Sequence, residues 1–331
     1  MYEGSPTVSV FGASGKLGQR VLEVFERRMF PVRALVHKTP VTGWEHVTSI
    51  PGDIADPAAV REAVKASIAV VQMATTKEDP ATFFDVSIRG TFNVLEACRR
   101  NGNLKDFILI SGDAAYGIWF YPQPKPITED HALTAYPGYY AFSKVIEETM
   151  TQQYGIQYGL PYTILRCSWV FEKDDLLNHF SLLKNVNPAE PGHGFGEITP
   201  EVLDLVKRGE ERIPILLDAD GQPLRRHIVH ADDVAHAVFR VFGNPNVGQS
   251  GAARIFNVAG PAAFDYRTAA TYISKRLGIP TIELRCPGYH SFEIDTTRAR
   301  QVFGYKPFWT FEKMVEDAIE WRAEQGRKQA R

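Results

Sequence analysis

The chain has 331 residues, 44% of them hydrophobic, and a formal net charge of -2 from 37 basic and 39 acidic side chains. That length and apolar content support a large core in one α/β unit or two closely joined domains and exclude disorder. The near-neutral balance, with no long basic run, sets nucleic acid aside as a partner in favour of a small ligand. Cys98, Cys167 and Cys286 are far apart and odd in number, with no CxxC or HExxH spacing, so neither a disulfide framework nor a metal site is expected. The opening residues lack a basic, apolar leader, and no stretch approaches the ~18 apolar residues of a membrane span, so a cytoplasmic protein without a membrane partner is expected.

Thr7–Phe11 reads as a short buried strand, followed by Gly12-Ala13-Ser14-Gly15-Lys16-Leu17-Gly18 and an apolar pattern through Val21, Leu22, Val24 and Phe25. Strand, glycine turn and helix in succession bring backbone N–H groups and a helix N-terminus close to a pyrophosphate. Gly12, Ser14, Gly15, Lys16, Leu17 and Gly18 are therefore expected at a dinucleotide, although the spacing is GxxGxxG rather than GxGxxG. A second strand, Val32–Val36, ends without the acidic residue that would meet a ribose 2′-hydroxyl. His37 and Lys38 follow instead, two groups that could face a 2′-phosphate, so NADP is favoured over NAD.

Phe107–Ser111 is a third strand-like run. Beyond it, Tyr140 and Lys144 stand four residues apart in a stretch compatible with a helix from Tyr140 to Gln153, after the breakers Pro137 and Gly138. A phenol titrates near pH ~10, and a fixed cation favours its ionised form. Such a pair can exchange a proton at an alcohol or ketone. Tyr121 and Lys125 have the same spacing, but Pro122 and Pro124 forbid a helix between them. The stretch from Leu176 to Thr199, with Pro188, Pro191, Gly192, His193, Gly194 and Gly196, reads as a long loop suited to covering a substrate. His193 is read as a polar loop residue. A last helix from Phe311 to Ala323 carries Met314, Val315, Ala318, Ile319 and Trp321 largely on one side and is read as structural.

In this order the motifs resemble the extended short-chain dehydrogenase/reductase family, which includes nucleotide-sugar epimerases and dehydratases. The likeness adds Gly52-Asp53-Ile54, Met73-Ala74-Thr75, Arg89 to Ala97, Arg225 to Val234, Phe256 to Gly260, and Ile294 to Arg300 with Phe303 to Pro307. It implies a doubly wound parallel sheet, with residues 1–166 and 222–262 as the dinucleotide-binding domain and 167–221 and 263–331 as a smaller substrate-binding region. It also implies that Asp53 and Ile54 meet the adenine, that Ala74 lines the cofactor, and that Lys144 holds the nicotinamide ribose. Asp113, Tyr116, Ser168 and Arg226 fall on the substrate side, Arg226 matching the position that contacts a nucleotide-sugar phosphate. A homodimer is implied through the helices that start near Arg89 and carry Tyr140.

The match breaks in two places. The family's third catalytic group, a Ser or Thr four residues before a Tyr-Gly pair, falls here on Gly112, with Ser111 one residue early. Ser111, re-aimed by a bulge or turn, Asp113 or a water is expected to take its place. Asp113 lies where dehydratases carry a general acid, but Ala114 replaces the accompanying Glu, which disfavours a dehydratase. Trp169 occupies the position of a substrate-binding Asn, so a smaller carbohydrate, a sugar acid or lactone, becomes credible beside a nucleotide sugar. The expected activity is reversible hydride transfer between NAD(P) and a secondary alcohol or ketone of a carbohydrate-like substrate, as an oxidoreductase or epimerase. The alternative, prompted by Gly112, is a non-catalytic NAD(P)-binding sensor.

Overall fold

Seven strands form one parallel sheet: β1 (Thr7–Phe11), β2 (Val32–Val36), β3 (Val47–Pro51), β4 (Ser67–Gln72), β5 (Asp106–Gly112), β6 (Tyr162–Cys167) and β7 (Ile255–Val258). The computed structural model describes residues 6–123, 126–187, 196–247 and 254–329. The spatial order is β7-β6-β5-β4-β1-β2-β3, and every neighbouring pair runs parallel. The chain thus winds outward from β1 to β3, then crosses back to lay β4 on the other side of β1. In such sheets the crevice at the carboxyl ends of the strands flanking the reversal is where a ligand sits.

Alternation along each strand sends side chains to two separate layers. Val8, Val10, Val71, Ile108 and Leu165 pack with helix α1 (Lys16–Glu26) and with the helix Ala231–Val241. Phe11, Val70, Phe107, Leu109 and Ile164 face the opposite way, onto α2 (Pro57–Val64), α3 (Gly90–Arg100) and α4 (Tyr139–Tyr158). A third apolar cluster joins Tyr116, Trp119, Phe180, Leu216, Tyr266, Phe292 and Val315. Three small ribbons frame it: Trp169–Phe171 parallel to Ile228–His230, Arg225–Arg226 antiparallel to Phe264–Asp265, and Ile213–Leu217 parallel to Thr281–Arg285.

The segment expected to be a loop from Leu176 to Thr199 is not one throughout. Asp175–His179 and Leu182–Asn185 are short helices, because Leu176, Leu177, Phe180 and Leu182 are buried in the third cluster. Pro188, Pro191, Gly192, His193 and Gly194 lie outside the described residues, as does Lys125. Helix α4 runs past Gln153 to Tyr158 and stops at Gly159, whose φ of +66° suits a glycine C-cap. The last helix also overruns its expected end, spanning Phe311–Gln329. Among the described residues no helix is long and apolar enough to cross a membrane.

Candidate active site

The turn after β1 has the form needed to hold a dinucleotide. Gly12 sits at φ +84°, and a Cβ there would lie 2.9 Å from the Ala74 amide nitrogen at the end of the neighbouring strand β4. A Cβ at Gly18 would collide with the Gly12 carbonyl, so α1 packs onto the turn at a separation only glycine allows. The Gly15 N–H donates to Gly12 O at 3.1 Å, and Gly15 starts α1 with no side-chain cap, leaving the helix N-terminus open to an anion. Ser14, Gly15 and Lys16 are exposed there, while Leu17 is half-buried against the core. Lys16 forms an ion pair with Asp175, and Arg20 one with Glu172 at 2.8 Å, tying α1 to the segment that follows β6. These residues fit a pyrophosphate cradle.

At the residues expected to meet the adenosine, His37 Nε2 lies 3.5 Å from Asp53 Oδ2, and both side chains are exposed, as is Lys38. Asp53 also accepts the Ala55 N–H at 2.9 Å. Ile54 is buried, its carbonyl taking a hydrogen bond from Asn93 at 3.0 Å. Ala74 is held by Gln72, whose amide donates to Ala74 O at 3.1 Å.

Tyr140 enters from the first turn of α4, where Gly138 ends the preceding segment at φ +152°. Glu78, from the loop after β4, caps that helix by accepting the Tyr139 N–H at 2.7 Å. A Cβ at Gly138 would stand 2.9 Å from both oxygens of that carboxylate, so the cap requires glycine there. Lys144, one turn on, is buried with its Nζ 5.5 Å from the centre of the Tyr140 ring. Nζ donates to Ile110 O at 3.2 Å and to Glu147 Oε2 at 2.8 Å.

Gly112 supplies room. Its backbone is extended (φ -146°, ψ 160°), a conformation open to any residue, so no special dihedral demands glycine. What glycine does is leave space: a Cβ would lie 3.1 Å from the Tyr140 hydroxyl. The phenol therefore points at the position where a serine side chain would otherwise stand. Burial pushes its pKa above the ordinary value, and the nearby Asp113, Tyr136, Glu147 and Cys167 push the same way.

Asp113 follows at once, buried, with its carboxyl pushed up to about 6 by desolvation against the opposing pull of Arg226 and hydrogen bonds from Ser168, Ala114 and Trp169. Arg226 is itself buried, its guanidinium carbon 3.4 Å from the centre of the Trp169 ring and 4.6 Å from that of Trp119. Its Nε is buried without a hydrogen-bond partner. Tyr266 lies beside Arg226 and meets His179 Nε2 through its hydroxyl at 2.6 Å. A buried cation stacked against two indole rings and facing the Asp113 carboxyl makes a polar cluster here. Ser168 reaches this cluster, 3.3 Å from Asp113 Oδ2, although its hydroxyl bonds more closely to His227 O at 2.5 Å.

Two expected site residues point elsewhere. The β5–β6 pairing continues from Ser111–Arg166 to Gly112–Cys167 without a bulge, so strict alternation puts Ser111 on the face of Phe107 and Leu109, under α4. There its hydroxyl donates to Glu148 Oε1 at 2.5 Å. Tyr116 is fully buried, its hydroxyl donating to Asn257 Oδ1 at 2.7 Å and accepting from Arg166 at 2.9 Å. Both belong to an internal network around the Glu148–Arg166 ion pair, closed at 2.7 Å.

Sequence reasoning passed over Glu147, Glu78, Trp119 and Tyr136. Glu147 alone had a local signal, standing three residues after Lys144 on the same helix. The others come to the site on loops and turns that no spacing rule covers.

The chain is similar to known proteins along most of its length. It is 25% identical to dTDP-glucose 4,6-dehydratase 1 of Escherichia coli (strain K12) over 278 residues, 73% of this chain and 67% of that protein. Its fold superposes with a TM-score of 0.83 on a short-chain dehydrogenase/reductase superfamily protein from Agrobacterium tumefaciens with bound NAD (22% identity; 98% of this chain, 100% of that one). With a TM-score of 0.73 it superposes on UDP-glucuronic acid 4-epimerase from Bacillus cereus in complex with NAD (16% identity; 96% of this chain, 99% of that one). The model of the NAD dependent epimerase/dehydratase family matches residues 8–259, and with the glycine turn, the sheet order and the Tyr140–Lys144 pair in place, the chain belongs to that family.

Proposed function

We propose that this protein is an NAD(P)-dependent oxidoreductase or epimerase acting at a secondary alcohol or ketone of a carbohydrate. The observation that carries the reading is the Tyr140 phenol standing against the bare face of Gly112, one helical turn from buried Lys144 and beside Asp113. A dinucleotide on the Gly12–Gly18 turn would supply the hydride acceptor or donor. Tyr140 moves the proton of the substrate oxygen, and Lys144 provides the adjacent positive charge and a donor for a ribose hydroxyl. With Ser111 turned to Glu148, Asp113 is the group left to orient the substrate next to the phenol.

Arg226, with its unpartnered Nε between Trp119 and Trp169, supports an anionic group on the substrate. Trp169 covers the guanidinium where a family Asn would have met the sugar, which supports a sugar acid ahead of a nucleotide sugar. Elimination is not favoured, because Ala114 places no second carboxylate beside Asp113. For the cofactor, His37 and Lys38 support a 2′-phosphate, whereas the related structures named above hold NAD. We further propose a homodimer through α3, α4 and the segment Phe83–Arg89, where Phe84, Phe92, Phe142 and Tyr158 are exposed.

A panel of sugars, sugar acids and UDP-sugars, offered with NAD, NADP and their reduced forms, tests the reading at the reduced-nicotinamide absorbance band. Turnover with a sugar acid, and tighter binding of NADPH than NADH, are expected. Tight dinucleotide binding with no turnover across the panel would instead select a sensor lacking the catalytic hydroxyl at Gly112.

A further inference from the structure

Glu147 lies on the face of α4 that carries Tyr140 and Lys144, three residues beyond the lysine and seven beyond the tyrosine. Its Oε2 accepts from Lys144 Nζ at 2.8 Å with both side chains buried, and its Oε1 is buried with no hydrogen-bond partner. The same ammonium lies over the Tyr140 ring, 5.5 Å from its centroid. One desolvated cation thus neighbours two acids, a carboxylate in contact and a phenol close by. Away from solvent, each of these charges acts on the others far more strongly than on a surface.

We propose that Glu147 and Tyr140 compete for the charge of Lys144, so that Glu147 is a positioning residue that sets how readily the phenol gives up its proton. The inference rests on the reading of Tyr140 as the proton-exchanging group. While Glu147 is ionised the lysine is already neutralised, and the phenol keeps its proton, ready to donate to a carbonyl. The other groups facing the phenol act the same way: Asp113 from the turn after β5, Tyr136 from the segment before α4, and Cys167 from the end of β6. Glu78 adds a further carboxylate at the start of the helix. Glu147 itself is held above the usual carboxylate range by burial, against the pull of Lys144.

The test needs no substrate. The full ligand-free chain is labelled with 13Cζ-tyrosine, the Tyr140 resonance is assigned by its loss in Tyr140→Phe, and its titration midpoint is compared between wild type and Glu147→Gln. Removing the competing charge should lower the midpoint by about one pH unit or more. An unchanged midpoint, or a phenol that stays protonated to the alkaline limit of the fold in both proteins, overturns the proposal. If Glu147→Gln does not fold, Glu147→Asp, with its carboxylate drawn back from Lys144, should move the midpoint in the same direction, and no movement there overturns it equally. A shifted midpoint in a protein without turnover would leave this inference standing and remove the proposed activity. Tyr140-dependent turnover with no shift would do the reverse.

Discussion

Replacing Gly112 by alanine perturbs the site by a known amount. The added Cβ would lie 3.1 Å from the Tyr140 hydroxyl, whereas ordinary contact begins at 3.4 Å, so the phenol must retreat by about 0.3 Å. Because the backbone there is extended, the strand itself has no reason to move. A misplacement of 1 Å in a reacting group costs about 10²-fold, and on a logarithmic scale 0.3 Å corresponds to roughly fourfold, or about 0.8 kcal/mol of barrier. Gly112→Ala should therefore lower kcat about fourfold, with KM and the urea midpoint close to wild type. Gly112→Ser makes the same intrusion, but its hydroxyl can bond the phenol or the substrate oxygen and should recover part of the loss. Steady-state kinetics on the three proteins read this out. Alanine at full activity would refute the placement of the phenol against residue 112; a loss beyond 10²-fold would show that glycine serves more than space.

Asp113 carries a stability cost whose sign follows from its raised pKa. Between pH 3.8 and about 6 the folded chain holds a proton that the unfolded chain has released, so this group's contribution to stability falls as pH rises through that window. Asp113→Asn should accordingly be more stable than wild type at pH 8, by up to about 3 kcal/mol, and no more stable at pH 3, in urea unfolding at the two pH values. At the Glu148–Arg166 pair, Glu148→Gln leaves a buried guanidinium without its counter-ion and should cost about 3–5 kcal/mol, read in the same unfolding assay; a loss under 1 kcal/mol would show the network to be dispensable. Carboxylates placed at Phe84 and Phe142 together should convert a dimer to a monomer on a sizing column, and an unchanged elution volume would remove that face from the interface.

The parts of the site built on local geometry were legible in the amino-acid order. Strand, glycine turn and helix around Gly12–Gly18 occupy adjacent residues, and the Tyr140–Lys144 pair needs only a helical register, so short-range rules reach them. Ser111 was harder, because its direction depends on whether β5 bulges, and pairing with β6 settles that from residues more than fifty positions away. Gly112 read as a missing hydroxyl; only the fold shows that its empty side faces the phenol. The surroundings of Arg226 were beyond reach, since Trp119 stands in the turn after Tyr116, Trp169 on a ribbon strand and Tyr266 at the start of a helix. The helices within 176–199 were missed for a related reason: local glycine and proline content suggested a loop, while tertiary burial of Leu176, Phe180 and Leu182 favoured helix.

The most direct test of the account is the turnover of Tyr140→Phe, measured with dinucleotide affinity on the same preparation. Removing one hydroxyl leaves the ring, Lys144 and the glycine turn intact, so dinucleotide should bind as in wild type while kcat falls about 10²–10⁴-fold. Wild-type turnover in Tyr140→Phe would contradict the assignment of this phenol as the group that moves the proton.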